Sequence, residues 1–356
     1  MRRLSRRNFI KVGGIGFGLA ITPGWRESLL SQDFPAADNL GRVCSGRVDI
    51  KADPDINSET VGLLYDDAVV EWQYEVTGWN PTRINQRFVK TPDGYVWSPF
   101  LQPVKNLPNL PVTSLPETSL GAGMWVEVTV PYVDLVLDNP PARSPWLKNS
   151  TAPRFYYSQI LWADTIEVDE NGKAWYRINE RYGYGDIFWA DASAFRQIQP
   201  EDVSPINPDV GNKIVEVNLT YQTLSCFEGE NEVHFCRISS GAKYNAAGDI
   251  VDNWATPLGE HPIWRKAMSM HMSGGTVSGG YDLPGIGWTT LFVGNGVAIH
   301  STFWHNNYGV PMSHGCVNAK PEDAKWVFRW VQPEVAYDPG DITVSMPGGT
   351  HVRVVE

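Results

Sequence analysis

The stretch that decides the fold and the chemistry is Ser313–Asn318, SHGCVN, near the C-terminal end of the 356-residue chain. It sets a cysteine after His-Gly and before Val-Asn, in a chain that has only 4 cysteines. A cysteine in this setting is a nucleophile, a metal ligand, half of a disulfide or a small buried residue. Which of these four roles Cys316 has is inferred from the residues in the rest of the sequence.

The residues around Cys316 suit nucleophilic chemistry. A thiol with an ordinary pKa near 8.5 is only a few per cent thiolate at neutral pH, so it needs a neighbouring base. The segment Gly287–Ser301 (GWTTLFVGNGVAIHS) predicts further strands, one of which carries His300 beside the Cys316 loop. Gly315 lets the backbone turn sharply and aim N–H groups at a developing oxyanion. Ser313 and Asn318 are expected to hold the loop through side-chain-to-backbone hydrogen bonds.

The region from Lys213 to Val355 resembles the L,D-transpeptidase (YkuD-type) catalytic domain. The resemblance rests on Ile299-His300-Ser301 followed by Ser313-His314-Gly315-Cys316-Val317-Asn318. Further marks are Gln222–Leu224 (QTL), Ser239–Gly241 (SSG), Thr256–Gly259 (TPLG) and Tyr281–Trp288 (YDLPGIGW). The family often has Gly after the first histidine, where this chain has Ser301.

The resemblance implies a role for each matching residue. Cys316 is the nucleophile and His300 the general base, with the carbonyl of Ser301 orienting the imidazole. His314 lines the substrate site, and the N–H groups near Cys316 form the oxyanion hole. The remaining site-shaping and substrate-binding residues are Ser313, Gly315, Asn318, Tyr281, Trp288 and Trp304.

The implied reaction is peptidoglycan cross-linking. Cys316 attacks the third-residue carbonyl of a tetrapeptide stem, D-Ala leaves, and an amine of a second stem resolves the thioester to a 3→3 cross-link. Water as acceptor makes the same site an L,D-carboxypeptidase. The resemblance also implies inhibition by carbapenems, a role in cell-wall organisation and cell shape, and no cofactor. A non-catalytic wall-binding protein is the remaining alternative.

Composition predicts a mainly β protein. Hydrophobic residues make up 42% of the chain, and 33 Gly with 26 Pro favour short strands joined by turns. The C-terminal region is expected to form an L,D-transpeptidase-type β-sandwich with a short helix after the catalytic cysteine. The upstream segments resemble bacterial SH3-like small β-barrels, one or two in number. The net charge of -11 and the lack of a basic face argue against a nucleic-acid partner.

The predicted divisions follow Pro-rich and turn-rich segments. We expect a signal and tether at residues 1–35, followed by an SH3-like module at 40–105 and a Pro-rich linker at 106–120. A second β module is expected at 121–204, and the catalytic domain at 211–356. Few contacts are expected to cross the boundary at Ser204–Asp209 (SPINPD). The upstream modules are therefore expected to affect substrate delivery rather than bond making.

The N-terminus predicts export. Ser5–Lys11 (SRRNFIK) resembles the twin-arginine motif, and the uncharged stretch Val12–Thr22 has the length of a signal-peptide core. The expected partner is the twin-arginine translocase, and the expected location is the periplasm or cell envelope, with the signal either cleaved or retained as an anchor.

Other cysteines and histidines need separate interpretations. Cys44 is expected to be a small buried strand residue. A two-residue hairpin at Glu228–Asn231 would place Cys226 opposite Val233. A Cys226–Cys236 disulfide would therefore need a different strand register. Zinc held by His300, His305, His314 and Cys316 is an alternative to catalysis, although no metal is expected. His234 is expected to be structural. The remaining histidines, expected at the surface or in loops, are His261, His271 and His351.

Overall fold

The structure, a computed structural model, describes residues 34–44, 46–150, 152–243, 254–274 and 280–356. The predicted twin-arginine motif and the apolar stretch after it lie outside the described residues. Within the described ranges, no helix has the length and hydrophobicity that a membrane crossing requires.

The first module contains eight short strands in two small sheets. The sheet orders are β4-β1-β8 and β3-β2-β7-β6-β5. Their inward side chains form one small core, of which Val43, Val89 and Leu101 have no exposed surface. The strands are β1 (Leu40–Val43), β2 (Val48–Lys51), β3 (Thr60–Leu64), β4 (Val69–Glu71), β5 (Tyr74–Thr77), β6 (Arg87–Thr91), β7 (Gly94–Trp97) and β8 (Leu101–Val104). A small all-β module is therefore present, and its SH3-like class stays a prediction.

The second module is a six-stranded antiparallel sheet of order β13-β17-β16-β15-β11-β18, with the pair β12-β14 beside it. A turn at Asp169–Gly172 joins β15 to β16, with Val168 opposite Ala174. Two short strands, β9 (Glu117–Thr118) and β10 (Gly121–Ala122), lie at the end of the predicted linker. The other elements are β11 (Met124–Val128), β12 (Tyr132–Asp134), β13 (Val136–Leu137), α1 (Pro145–Asn149), β14 (Arg154–Tyr156), β15 (Ile160–Val168), β16 (Ala174–Asn179), β17 (Ile187–Asp191) and β18 (Phe195–Gln197).

In its described residues, the C-terminal region contains two five-stranded sheets and one helix. The sheet orders are β21-β20-β19-β28-β22 and β26-β25-β24-β23-β27. The pairs β19–β28 and β25–β26 are parallel. The elements are β19 (Lys213–Asn218), β20 (Thr223–Glu228), β21 (Asn231–Arg237), β22 (Gly259–Pro262), β23 (Arg265–Gly274), β24 (Tyr281–Leu291), β25 (Ala298–Ser301), β26 (Val317–Ala319), α2 (Pro321–Trp330), β27 (Asp341–Thr343) and β28 (His351–Val355). The predicted mainly β fold class is confirmed.

Helix α2 forms where its sequence predicts it. Pro321 occupies the first turn, where its missing N–H costs nothing, and Glu322 and Asp323 complement the positive end of the helix dipole. The residues on its inward face, Ala324, Val327, Phe328 and Val331, are all at most 1% exposed. The short helix after Cys316 is therefore confirmed, and its apolar face anchors the chain just beyond the Cys316 loop.

Strand pairing corrects one prediction about the cysteines. Cys226 lies opposite His234 rather than Val233, because a β-bulge between Cys226 and Phe227 shifts the register by one residue. All 4 cysteines are described, and each is a free thiol. Cys44 is half-buried and directly follows β1 rather than lying within it, with its Sγ 3.2 Å from the carbonyl oxygen of Phe100.

A shared core joins the second module to the catalytic sheets, so the expectation that few contacts cross is wrong. Trp125, Ile160 and Trp162 pack in the same buried cluster as Trp288 and Phe328. Ser269 also donates a hydrogen bond of 2.5 Å to the carbonyl of Ile160. Residues 34–356 accordingly form one compact unit.

Candidate active site

The Cys316 loop is shaped by its neighbours Ser313 and Gly315. Gly315 has a φ of +124°, and a Cβ there would lie 3.2 Å from Cγ2 of Val297, so both backbone conformation and space favour glycine. Oγ of Ser313 donates to the carbonyl of Cys316 at 2.5 Å and accepts from the Gly315 N–H at 3.1 Å. The expected side-chain-to-backbone role of Ser313 is present.

Three of the four further sequence marks support this loop through hydrogen bonds. Thr256 Oγ1 donates to the carbonyl of Gly315 at 2.8 Å and accepts from the N–H of Gly241 at 2.9 Å. The side-chain amide of Gln222 makes two hydrogen bonds with Ser240: Nε2 of Gln222 donates to Oγ of Ser240, and Oε1 of Gln222 accepts from the backbone N–H of Ser240. The marks QTL, SSG and TPLG are thus connected by hydrogen bonds to one another and to the Cys316 loop.

Strand register brings His300 and Cys316 to one cavity. His300 lies level with Asn318 in the parallel pair β25–β26, and Cys316 lies two residues before Asn318. Side chains two residues apart on a strand share a face. His300, Cys316 and Asn318 all line a cavity of about 380 Å³.

The His300 imidazole is held in one tautomer. Nδ1–H donates a 2.8 Å hydrogen bond to the carbonyl of Ser301, which leaves the Nε2 lone pair available. Burial lowers the pKa of His300 to about 4, and the Ser301 hydrogen bond opposes that shift only in part. His300 is therefore neutral at pH 7 and suited to accept a proton.

The Cys316 thiol is also neutral at rest. Burial raises its pKa to about 11, against a smaller lowering by the backbone N–H of Ala298. The side chain is half-buried, so a reactant entering the cavity still reaches it. The resting pair is a thiol beside an imidazole, rather than a thiolate beside an imidazolium.

Two of the three predicted substrate residues line the cavity. Tyr281 and Trp304 do so together with His314, whose ring lies 5.0 Å from that of Tyr281. The His300 and Trp304 rings are 5.7 Å apart. The apolar lining residues Leu283 and Ile286 belong to the Tyr281–Trp288 mark, whereas Met272 and Met312 carried no motif signal in the sequence.

Trp288 does not line the cavity, so its predicted role in substrate binding is wrong. Its φ of +56° interrupts the alternation of β24. The indole is 1% exposed and packs edge-on against Phe328 of α2 at 5.4 Å. Trp288 is a core residue.

Asn318 acts through another side chain rather than through the backbone, which corrects the prediction. Its amide lies 2.9 Å from Nε2 of His305. Because Nδ1 of His305 accepts from the N–H of Asn307, Nε2 carries the ring proton and needs an acceptor. Oδ1 of Asn318 is buried and has no other partner among the described residues, so we assign that oxygen to His305. Burial lowers the pKa of His305 to about 3. Its contacts with Asn318 and Asn307 make His305 a structural support of the segment around Cys316.

The upstream modules hold the segment 302–309, which follows the His300 strand. Arg42 of the first module is 3% exposed and donates to the carbonyl of Phe303 at 2.7 Å. Its guanidinium also bonds Asp67 and Gln102. Tyr156 of the second module stacks on Phe303, with ring centroids 5.7 Å apart. Both modules thus contact the residue next to the cavity-lining Trp304.

His271 was expected at the surface but lies buried in β23. Its Nδ1 is 2.7 Å from Glu180 of the second module, and its Nε2 is 2.5 Å from Asp282. Burial opposes protonation, yet the hydrogen bonds and charges of Glu180 and Asp282 together raise the pKa of His271. The strand pattern around it gave no sign of a partner from another module.

The alternative zinc set at the catalytic loop is not assembled. In the part of the chain that the structure describes, the ligand atoms of His300, His305, His314 and Cys316 do not converge on a common point. The cluster that does converge consists of His234, Cys236 and Asp323.

Comparison with known proteins finds a family whose model matches the C-terminal part of the chain. Residues 212–354 match the family model of the L,D-transpeptidase catalytic domain, YkuD. A probable L,D-transpeptidase of Escherichia coli K12, YbiS, is 27% identical over 165 residues, which are 42% of this chain and 53% of YbiS. The chain therefore spans about half the length of this curated relative.

Solved structures with similarity include the catalytic domain of the Enterococcus faecium L,D-transpeptidase. It is 24% identical, covers 40% of this chain and 96% of its own, and has a TM-score of 0.31. L,D-transpeptidase 3 of Mycobacterium tuberculosis is 15% identical, covers 56% of this chain and 92% of its own, and also has a TM-score of 0.31. The C-terminal region, residues 212–354, is a YkuD-type L,D-transpeptidase catalytic domain.

Proposed function

We propose that this protein is an exported peptidoglycan L,D-transpeptidase with Cys316 as nucleophile and His300 as general base. The observation that carries the proposal is the tautomer of His300: Nδ1–H is tied to the Ser301 carbonyl, so Nε2 is free to take a proton in the cavity that Cys316 lines. The tetrapeptide stem as donor and the 3→3 product come from the family resemblance.

The acylation step follows from the neutral resting pair. The Cys316 thiol gives its proton to Nε2 of His300 as sulfur attacks the third-residue carbonyl. The tetrahedral oxyanion is stabilised by the backbone N–H of Cys316, since the N–H of Gly315 already donates to Oγ of Ser313. His300 returns the proton to the amine of D-Ala as the C–N bond breaks, which leaves a thioester.

The second step reverses these roles. An amine of a second stem attacks the thioester carbonyl, His300 removes a proton from that amine, and the thiol is regenerated. Water in place of the amine gives a tripeptide stem, so an L,D-carboxypeptidase activity uses the same residues. A carbapenem offers a strained lactam carbonyl to the same sulfur, so we propose inhibition by these compounds.

Export is supported by the sequence of the N-terminus. The twin-arginine-like Ser5–Lys11 and the apolar stretch after it are consistent with passage through the twin-arginine translocase to the cell envelope. The upstream β modules are proposed to be SH3-like and to contact the wall polymer.

Product analysis tests the proposed activity. The purified protein is incubated with disaccharide-tetrapeptide, and the products are separated and weighed by mass spectrometry. A dimer that has lost one D-Ala supports transpeptidation, and a tripeptide alone supports the carboxypeptidase alternative. Unchanged substrate would contradict catalysis and favour a wall-binding protein. The Cys316→Ala variant is the control for contaminating enzymes.

A further inference from the structure

A second cluster of reactive side chains lies outside the catalytic cavity. His234, Cys236 and Asp323 each offer one ligand atom, and these three atoms lie within 4.8 Å of one another. None of these residues lines the cavity that holds Cys316. The proposed peptidoglycan chemistry does not use them.

The fold brings the three residues together. His234 and Cys236 are two residues apart on the edge strand β21, so their side chains share a face. Helix α2 supplies Asp323 from its first turn. The His234 ring lies flat on Trp326 of the same helix, with centroids 4.3 Å apart and planes at 11°, which fixes the direction of its nitrogens.

The imidazole nitrogen that faces the cluster has no hydrogen bond. Nε2 of His234 is out of contact with solvent and has no hydrogen-bond partner among the described residues. It lies 3.1 Å from Oδ1 of Asp323, but the angles do not form a hydrogen bond. Nitrogen and oxygen ligands of one tetrahedral zinc ion, each about 2.0–2.1 Å from it, are about 3.3 Å apart. The spacing therefore suits two ligands of one ion.

The cluster also has an open side. Cys236 and Asp323 line a cavity of about 640 Å³ that extends to Arg87 of the first module and to Arg237 and Lys320. This cavity provides a path for an ion and room for a water molecule as a fourth ligand. Three protein ligands and one open position are a common zinc arrangement.

The ligand types select the metal. A thiolate and an imidazole favour zinc over calcium or magnesium, which prefer oxygen ligands. A thiolate and a carboxylate together neutralise the two positive charges of the ion, which lowers the cost of holding it in a largely buried site. We propose that His234, Cys236 and Asp323 bind one zinc ion, which joins the edge strand β21 to α2, the helix that follows the Cys316 loop. On binding, the Cys236 thiol loses its proton to solvent.

Metal titration of the full chain tests the site. The background carries Cys316→Ala, so that the catalytic thiol cannot bind the ion, and a non-chelating reductant prevents a Cys226–Cys236 disulfide. Zinc binding is measured by equilibrium dialysis with elemental analysis, and cobalt(II) is used as an optical probe of thiolate ligation. Cys236→Ser and Asp323→Asn are the test variants, and Cys44→Ala is the matched control for a thiol outside the cluster.

We expect one zinc ion per chain in the Cys316→Ala background and in the Cys44→Ala control, with thiolate-to-cobalt absorption in both. Cys236→Ser should remove that absorption and weaken zinc binding by about 100-fold or more, since loss of outer-shell partners alone costs about 10–100-fold. Asp323→Asn should weaken binding while keeping the absorption. No binding in the background, or binding that is unchanged by Cys236→Ser, would overturn the proposal.

Discussion

At the Cys316 thiol, burial decides the resting chemistry. The same burial that raises the pKa of Cys316 to about 11 lowers that of His300 to about 4, because a water-poor cavity disfavours both charged forms. In the proposed acylation step, proton transfer therefore accompanies attack instead of preceding it. The Cys316 thiol would then stay unreactive until a carbonyl is in place.

The neutral pair predicts the pH dependence of acylation. Both groups are in their reactive forms between the two pKa values, so the single-turnover rate constant with a carbapenem should be flat across neutral pH. It should fall as His300 becomes protonated toward pH 4. The measurement is stopped-flow acylation over the pH range in which the protein stays folded. A rise in rate with a midpoint near 8.5, the ordinary cysteine pKa, would show that a free thiolate is the nucleophile.

Replacing each of the two buried histidines separates catalysis from support. His300→Ala should slow acylation by about 10²–10⁴-fold, the usual cost of losing a general base. His305→Ala removes the contacts with Asn318 and with the N–H of Asn307, which support the loop, and should cost less than this range. Single-turnover kinetics of both variants give the comparison. Equal losses in the two variants would mean that His300 also acts as a structural residue.

At the scale of elements, the segment 302–309 links the upstream modules to the cavity wall. The guanidinium of Arg42 reaches Phe303 across 261 positions of sequence, and the next residue, Trp304, lines the cavity. The segment has no regular secondary structure beyond Ser301, so contacts from outside must fix it. The first module therefore helps to position the wall of the active site.

Substitution of Arg42 measures this coupling. Arg42→Ala should slow acylation by roughly 10- to 100-fold, because small displacements of positioning groups have effects of that size. Arg42→Lys should restore only part of the rate, since an ammonium lacks the forked geometry that reaches several acceptors. Arg47→Ala is the matched control, because the Arg47 side chain is 64% exposed. Equal acylation rates for Arg42→Ala and Arg47→Ala would show that the contact does not matter for catalysis.

Local patterns predicted the elements that carry chemistry. Cys316 and His300 are marked by their neighbours in sequence, and both line one cavity in the structure, while their catalytic roles stay predictions. The short helix after Cys316 forms as predicted. The positions of Trp288 and Cys226 were not predictable in this way, because a left-handed φ and a β-bulge changed the direction of the side chains. His271 and Arg42 find their partners in other modules, and no short-range pattern records such contacts.

At the scale of the whole molecule, the shared core limits how the chain can be divided. Trp125 and Trp162 of the second module pack against each other at 5.1 Å within the cluster that also contains Trp288 and Phe328. A fragment that begins at Pro205 loses these two indoles and exposes apolar surface that they cover. The catalytic domain is therefore supported by its upstream neighbour.

Truncation tests this dependence. The fragment 205–356 should unfold at a lower temperature than the full chain and react more slowly with a carbapenem. The fragment 106–356 keeps the shared core but loses Arg42, so it should retain most of the thermal stability and still acylate slowly. Circular dichroism melts and acylation kinetics of both fragments provide the measurement. A fragment 205–356 that matches the full chain in both respects would show that the shared core is dispensable.

The central claim is that Cys316 is the residue that becomes acylated, and trapping the acyl-enzyme tests it most directly. The full chain, Cys316→Ala and Cys226→Ala are each incubated with a carbapenem, weighed intact, and digested to locate the adduct. We expect one adduct per chain on the peptide that contains Cys316, the same result for Cys226→Ala, and no adduct for Cys316→Ala. An adduct that persists in Cys316→Ala, or that maps to another residue in the unaltered chain, would contradict the account.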